Sequence, residues 1–227
     1  MEKHPRQYKI ALAGIVVCTL LLYLPSVDFD FLMFDDVDYI LNNPFVASGV
    51  SWDGVLWAFS TIKFQQWMPV TMLSLMLDAE LFGLENASGW HLLNVLIHAA
   101  NCLLLALALH GLSMPPWQRL IAVALFALHP MHVEVVAWVV ERKELLAMSF
   151  GLMSWIAFQR WRQRNEYTVY FLSCLAFLAC LASKPMWVTW PVVLWLIDWS
   201  VTGFRWRSLP ASLIDKLPLF GISVAIS

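Results

Sequence analysis

Charge is what this sequence has least of. Asp, Glu, Lys and Arg make up 13% of its 227 residues, where a soluble domain carries roughly a quarter. The net charge is −2, so there is no cationic excess of the kind a nucleic-acid partner requires, and that class of ligand is excluded. Cysteine is also sparse. Cys18, Cys102, Cys174 and Cys180 all lie in apolar runs, without metal-ligand spacing or the pattern of a disulfide framework. They read as small buried apolar residues. No small-residue cleavage site follows the first apolar run, 10–24, although Lys3, Arg6 and Lys9 precede it. It therefore reads as a retained helix rather than a signal peptide. A helical repeat of about 34 residues is missing too.

What the chain has is apolar length. Sixty per cent of the residues are apolar or aromatic, and 13 are tryptophans, a residue that gathers at membrane interfaces. A spanning helix needs roughly 20 mostly apolar residues. Runs of that character lie at about 9–25, 90–112, 118–138, 145–161, 167–183 and 186–200. Another starts near 216 and runs to 227, so the sequence is expected to be the N-terminal part of a longer protein. The fold class expected is an all-α integral membrane bundle of several spans. Its long first loop, 26–89, carries short interfacial helices at 52–59 and 68–82. Pro185 disfavours helix at Ser183, and a break there at membrane depth must be buried in protein or face a wet cavity.

The basic residues orient these spans. With the N-terminus in the cytoplasm, Lys3, Arg6, Lys9, Arg119, Arg160, Arg162, Arg164, Arg205, Arg207 and Lys216 fall inside, and Lys63, Arg142, Lys143 and Lys184 fall outside, ten against four of the 14. Asp28, Asp30, Asp35, Asp36, Asp38, Asp53, Asp78, Glu80 and Glu85 all lie in the outer loop.

Three places carry candidate chemistry. The first is Phe34-Asp35-Asp36-Val37-Asp38-Tyr39, where three carboxylates fall within four residues. Like charges that close resist joint ionisation, and the carboxylate that stays ionised can act as base toward a hydroxyl; the plainer reading is a solvated acidic loop. The second is His129-Pro130-Met131-His132-Val133-Glu134 followed by Glu141-Arg142-Lys143-Glu144. Interfacial ionisable groups are costly and functional by default. His129 and His132, with Asp36, are candidate ligands of a divalent metal, although no third ligand has distinctive spacing. The third is Lys184, a snorkelling cation or, with Arg142, an anion contact. His91 and His98 share a helix face, where His98 reads as packing and His91 lies nearer the outer boundary. Asn86-Ala87-Ser88 fits a glycosylation acceptor.

Several strings resemble a known family. Phe34-Asp35-Asp36-Val37-Asp38-Tyr39 resembles the acidic motif in the first outer loop of membrane glycosyltransferases of the GT-C fold. Pro69 with Leu73-Ser74-Leu75-Met76-Leu77-Asp78 and Leu81-Phe82-Gly83-Leu84 resembles the helix that follows it. Gly89-Trp90-His91-Leu92-Leu93-Asn94, the stretch His129-Pro130-Met131-His132-Val133-Glu134 through Glu141-Arg142-Lys143-Glu144-Leu145-Leu146, and Lys184-Pro185-Met186-Trp187-Val188-Thr189 resemble one subgroup. That subgroup is the transmembrane and tetratricopeptide-repeat proteins related to O-mannosyltransferases. The resemblance covers about residues 9–200. Where relatives often have a basic residue before the proline of the second helix, this chain has Trp67-Met68-Pro69.

The resemblance implies transfer of a mannose-like sugar from a polyprenyl-phosphate carrier to a hydroxyl of a protein or glycan acceptor on the non-cytoplasmic face. It implies Asp35 as base, Asp36 as the residue that orients the acceptor or contacts a metal, and Arg142, Lys184 and Lys143 at the lipid phosphate. His91, His132 and Glu134 would line the cavity. No cofactor is implied beyond a divalent metal. The bacterial inner membrane is the preferred setting, with the endoplasmic reticulum sharing the topology. The other readings are a membrane scaffold presenting repeats, and a transporter suggested by the broken helix pair at Pro185.

Overall fold

The computed structural model describes residues 5–63, 66–112, 114–201 and 213–226. Lys3, Arg205 and Arg207 of the inner basic set lie outside them. Among the described residues every element is helical, apart from an isolated bridge between Lys63 and Gln66.

Among the described residues two helices are long and apolar enough to cross a membrane. The first, α1, runs Pro5–Tyr23 and continues through a 3₁₀ turn, Leu24–Asp28; the second, α5, runs Ser88–His110. Little of α1 is covered by the rest of the chain: Ile10 and Leu21 are more than 60% exposed. An apolar surface of that kind is not stable against water.

Between them, residues 26–89 form a packed segment. A π-helical turn, Val37–Leu41, is followed by α2 (Pro44–Ala47), α3 (Trp52–Ser60) and α4 (Pro69–Phe82). Asn43 and Ser51 cap α2 and α3 by accepting from the Phe45 and Gly54 amides. Pro69 opens α4 at a position where no N–H is needed. At 14 residues α4 is ~21 Å long, too short for a bilayer core of ~30 Å. Tyr39, Ile40, Val46, Leu75 and Met76 bury together in a core of this segment's own, joined by Trp90 of α5 and by Val139 and Val140.

The remaining helices are α6 (Pro116–Leu128), α7 (His132–Ala137), α8 (Arg142–Arg164), α9 (Tyr167–Ser183), α10 (Trp190–Val201) and α11 (Leu217–Ile226). Their main core includes Cys102, Leu152, Phe158, Phe177, Leu181 and Leu194, and α8 packs most extensively on α9 and α5. Of the cysteines, Cys102 and Cys180 are buried as expected, but Cys18 is exposed and Cys174 half-buried.

Two expected runs are interrupted. The run 118–138 is not one helix. Pro130 pushes His129 to extended backbone (φ −69°, ψ 131°) and ends α6 at Leu128. The short α7 follows, then an extended Trp138 and the 3₁₀ turn Val139–Glu141 that leads into α8. The run 186–200 begins as a 3₁₀ turn, Pro185–Thr189, and becomes helix only at Trp190.

Candidate functional site

The two interruptions and the acidic loop meet. The Asp36 side chain is fully buried, and both of its oxygens accept backbone amides. Oδ2 takes the Leu32 N–H at 2.8 Å and Oδ1 takes the Val140 N–H at 3.1 Å. Burial pushes its carboxyl above the usual range, against the pull of those amides, and Asp35 adds to the upward push. Asp36 thus staples the loop to the turn before α8. Asp35, next in the chain, is half-buried, and its carboxylate accepts no hydrogen bond among the described residues.

Tyr39 connects this loop to α8. Burial, then the carboxylates of Asp35, Glu141 and Asp38, push its phenol up to about 12. Lys143 and Lys63 each place Nζ 5.6 Å from the ring centre, and Lys63 Nζ also donates to the Asp38 carbonyl at 2.5 Å.

Beneath this layer lies Arg142, fully buried. Its guanidinium donates to the Asp78 carboxylate, to Asn94 Oδ1 at 2.7 Å, to the Trp90 carbonyl at 2.8 Å and to Ser74 Oγ at 3.4 Å. Burial pushes the Asp78 carboxyl up to about 6 while the guanidinium pulls it down. Asn94 Nδ2 in turn donates to the Trp138 carbonyl at 3.1 Å, satisfying backbone that the end of α7 leaves without an intrahelical partner. Three elements, α4, α5 and α8, are joined through one side chain.

Beside this node runs a line of alternating charge. Glu141 sits between Lys143 at 2.8 Å and Lys184 at 3.7 Å, and Lys184 reaches Glu144 at 2.5 Å. Trp187 Nε1 donates to the other Glu144 oxygen at 3.0 Å. The break at Lys184 is itself held in place: buried Thr71 on α4 donates to the Ser183 carbonyl at 2.9 Å.

Two apolar grooves flank α7. One, of about 230 Å³, is lined by His98, Phe126, His132, Glu144, Met148 and Trp187. The other, of about 250 Å³, is lined by Phe29, Asp30, His91, Glu134 and Trp138. Phe34 of the acidic loop lies against Trp138, ring centres 5.9 Å apart.

The site residues expected from the sequence are thus distributed unevenly. Lys143 and Lys184 flank Glu141, and Asp35 adjoins the clamped Asp36. His91 and Glu134 line one groove and His132 the other, so the three do not share a cavity. Arg142 corrects the expectation of a phosphate contact: its donors are committed inside the protein. Asp36 is likewise committed to two backbone amides rather than left open to an acceptor. His129 is exposed, its Nδ1 accepting the Met131 amide at 3.2 Å, and its ring lies 6.3 Å from that of His132. Among the described residues no three His, Cys, Asp or Glu side chains converge as a metal would require, so Asp36 does not join that pair. His98 has the packing role expected, with Nε2 3.2 Å from the Ala127 carbonyl.

Asn94, Asn101, Asp78 and Trp187 join the site only through the tertiary structure. For the asparagines a signal was present. His91, Asn94, His98 and Asn101 fall at helical spacing along one face of α5, and Asn101 Nδ2 donates to the Leu145 carbonyl at 2.9 Å.

Fold and site together define a protein whose elements among the described residues are all helical, with two helices able to cross a membrane and an acidic loop clamped to the turn before a line of lysines and glutamates. Along 160 residues, 62% of this chain, it is 31% identical to protein O-mannosyl-transferase TMTC4 of Mus musculus, covering 22% of that protein. It is 32% identical over 161 residues to protein O-mannosyl-transferase Tmtc2 of Drosophila melanogaster, 66% of this chain and 17% of that one. To Tmtc1 of the same fly it is 30% identical over 188 residues, 78% of this chain and 22% of the relative. The chain is thus similar to the protein O-mannosyl-transferases, the group its motifs resemble, and spans about a fifth of their length. No family profile and no solved structure matches it.

Proposed function

We propose that this chain forms the catalytic face of a multi-spanning membrane glycosyltransferase. It moves a mannose-like sugar from a polyprenyl-phosphate carrier to a hydroxyl, of a protein in the first instance, on the non-cytoplasmic side. The observation that carries this reading is the Asp36 clamp. By binding the Val140 amide it ties the loop that carries Asp35 to the turn before α8, where Glu141 meets Lys143 and Lys184.

In the reaction the acceptor hydroxyl gives its proton to Asp35 as its oxygen bonds to the anomeric carbon. The bond from that carbon to the phosphate oxygen breaks, and the electron pair leaves with the phosphate. Lys184 and Lys143 stabilise the charge that develops there. Glu141 now lies between those two lysines, so an incoming phosphate takes over its contacts with them. The groove beside Glu144 and Trp187 is apolar and suits the first isoprene units of the carrier; the groove at His91 and Glu134 suits the acceptor. Similarity to proteins named for O-mannosyl transfer supports the same reaction class.

The test is sugar transfer in membranes supplied with polyprenyl-phosphate mannose, read as a mass increase on acceptor peptides. Asp35→Asn is expected to lower transfer by roughly 100-fold or more. Equal transfer by wild type and Asp35→Asn would remove Asp35 from the role of base. No transfer with any donor would favour a scaffold that presents repeats.

A further inference from the structure

The end of α8 opposite the candidate site carries a third groove. It holds about 390 Å³ between α5, α8 and α9, and its walls include Leu104, Leu107, Ile156 and Leu172, with the small Ala157 on α8 between them. Met153, Ala157, Arg160 and Arg164 are spaced four, three and four residues apart, so they form one stripe along α8. The stripe is apolar for its first turns and ends in two exposed arginines at the mouth of the groove. Neither arginine pairs with a carboxylate among the described residues. Arg162, on another face of the same turn, pairs with Asp198 at 2.5 Å. From Arg142 to Arg164 the helix rises ~33 Å, close to the ~30 Å of a bilayer core. With Arg142 at one membrane boundary, Arg160 and Arg164 reach the other.

We propose that this groove is a binding site for an anionic phospholipid of the inner leaflet, its phosphate held between Arg160 and Arg164 and one acyl chain lying along Ala157 toward Met153. The charge and the shape are complementary in the required order: guanidinium groups suit a phosphate, and the apolar floor begins one turn deeper. A soluble phosphate would use the arginines but not the groove. The charged ends of α8 keep it outside the two helices apolar enough along their whole length; the proposal rests on the reading that α8 crosses the membrane within the multi-span bundle, and it does not use the transfer chemistry.

Native mass spectrometry of the full chain, extracted in mild detergent and titrated with phosphatidylglycerol or phosphatidylcholine, tests it. A one-lipid adduct is expected with phosphatidylglycerol at concentrations where phosphatidylcholine gives none. Arg160→Gln with Arg164→Gln should weaken it about tenfold or more, the order expected for two basic residues at an anionic surface. Ala157→Leu keeps both charges and fills the groove, and should weaken it as well. Equal adducts with the two lipids, or unchanged binding in the double arginine variant, would overturn the site. Unchanged binding in Ala157→Leu, or displacement of the lipid by millimolar glycerol phosphate, would reduce it to a surface phosphate contact and overturn the lipid assignment.

Discussion

The carboxylate of Asp36 accepts the backbone amide of Val140, 104 residues further along the chain, at 3.1 Å. That contact fixes the acidic loop relative to α8 and so decides which neighbours Asp35 has. Replacing Asp36 by Ala leaves two amides without acceptors, the Val140 amide in the interior, at a cost of roughly 2–4 kcal/mol. Hydrogen exchange should speed up at Leu32 and Val140 before the rest of the chain responds. Exchange at those amides that matches wild type would show that the loop is held by other means.

The pair Arg142–Asp78 is buried on both sides. Arg142→Ala strands the Asp78 charge and should cost about 3–5 kcal/mol. Arg142→Lys should recover little of it, because an ammonium cannot reproduce the guanidinium fork that meets Asp78, Asn94 and Trp90 together. The double variant Arg142→Met with Asp78→Leu should be more stable than Arg142→Ala alone. Thermal unfolding in detergent compares these proteins with wild type and with Arg142→Met and Asp78→Leu made singly, which closes the cycle. Strict additivity of the two single changes would contradict the pair.

Asp78 also predicts a pH dependence. Its folded-state carboxyl is raised by burial to about 6, above the ordinary value of 3.8. The folded protein therefore holds a proton that the unfolded chain has released between those values. The resulting stabilisation is complete below about pH 3.8 and is lost as pH rises through about 6. The Tm difference between wild type and Asp78→Asn should shift against wild type as pH is raised from 5 to 7. A difference that stays flat over that window would sink the assignment.

Thr71 holds the broken segment that carries Lys184, through its bond to the Ser183 carbonyl. Thr71→Val keeps the shape and removes the donor, with an expected cost of about 1–2 kcal/mol. Lys184, now about 9% exposed, should become more reactive toward an amine-directed label, while Lys216 at the other end should not change. Unaltered labelling of Lys184 would mean that its ion pairs with Glu144 and Glu141 are sufficient to hold it.

Local pattern was enough for much of the helical layout. The run 167–183 coincides with α9 because it is apolar throughout and bounded by Glu166 and Pro185, so no tertiary contact is needed to place its ends. The short helices at Trp52 and Pro69 were legible from local pattern too, the first as an amphipathic stretch with Asp53 near its start and the second as an apolar stretch that carries Asp78 and Glu80. The acidic loop and the similarity to O-mannosyl-transferases were legible as motifs. The end of α6 was not, because the run 118–138 looks continuous by composition while Pro130 acts on the one residue before it.

Partners were beyond reach of the pattern. Arg142 and Lys184 are both cations near an interface in the sequence, yet one is consumed by Asp78, 64 residues away, and the other lies in a chain of glutamates at a groove. Asp35 and Asp36 are adjacent and chemically identical, yet one is buried against the backbone of Leu32 and Val140 while the other stays open. Residue type and hydropathy dictate what a side chain must avoid, chiefly burial without a partner. Which partner satisfies it depends on how α4, α5, α7 and α8 pack, and that packing sorts the charged residues into those locked inside the protein, such as Arg142 and Asp36, and those part-exposed at its surface, such as Asp35.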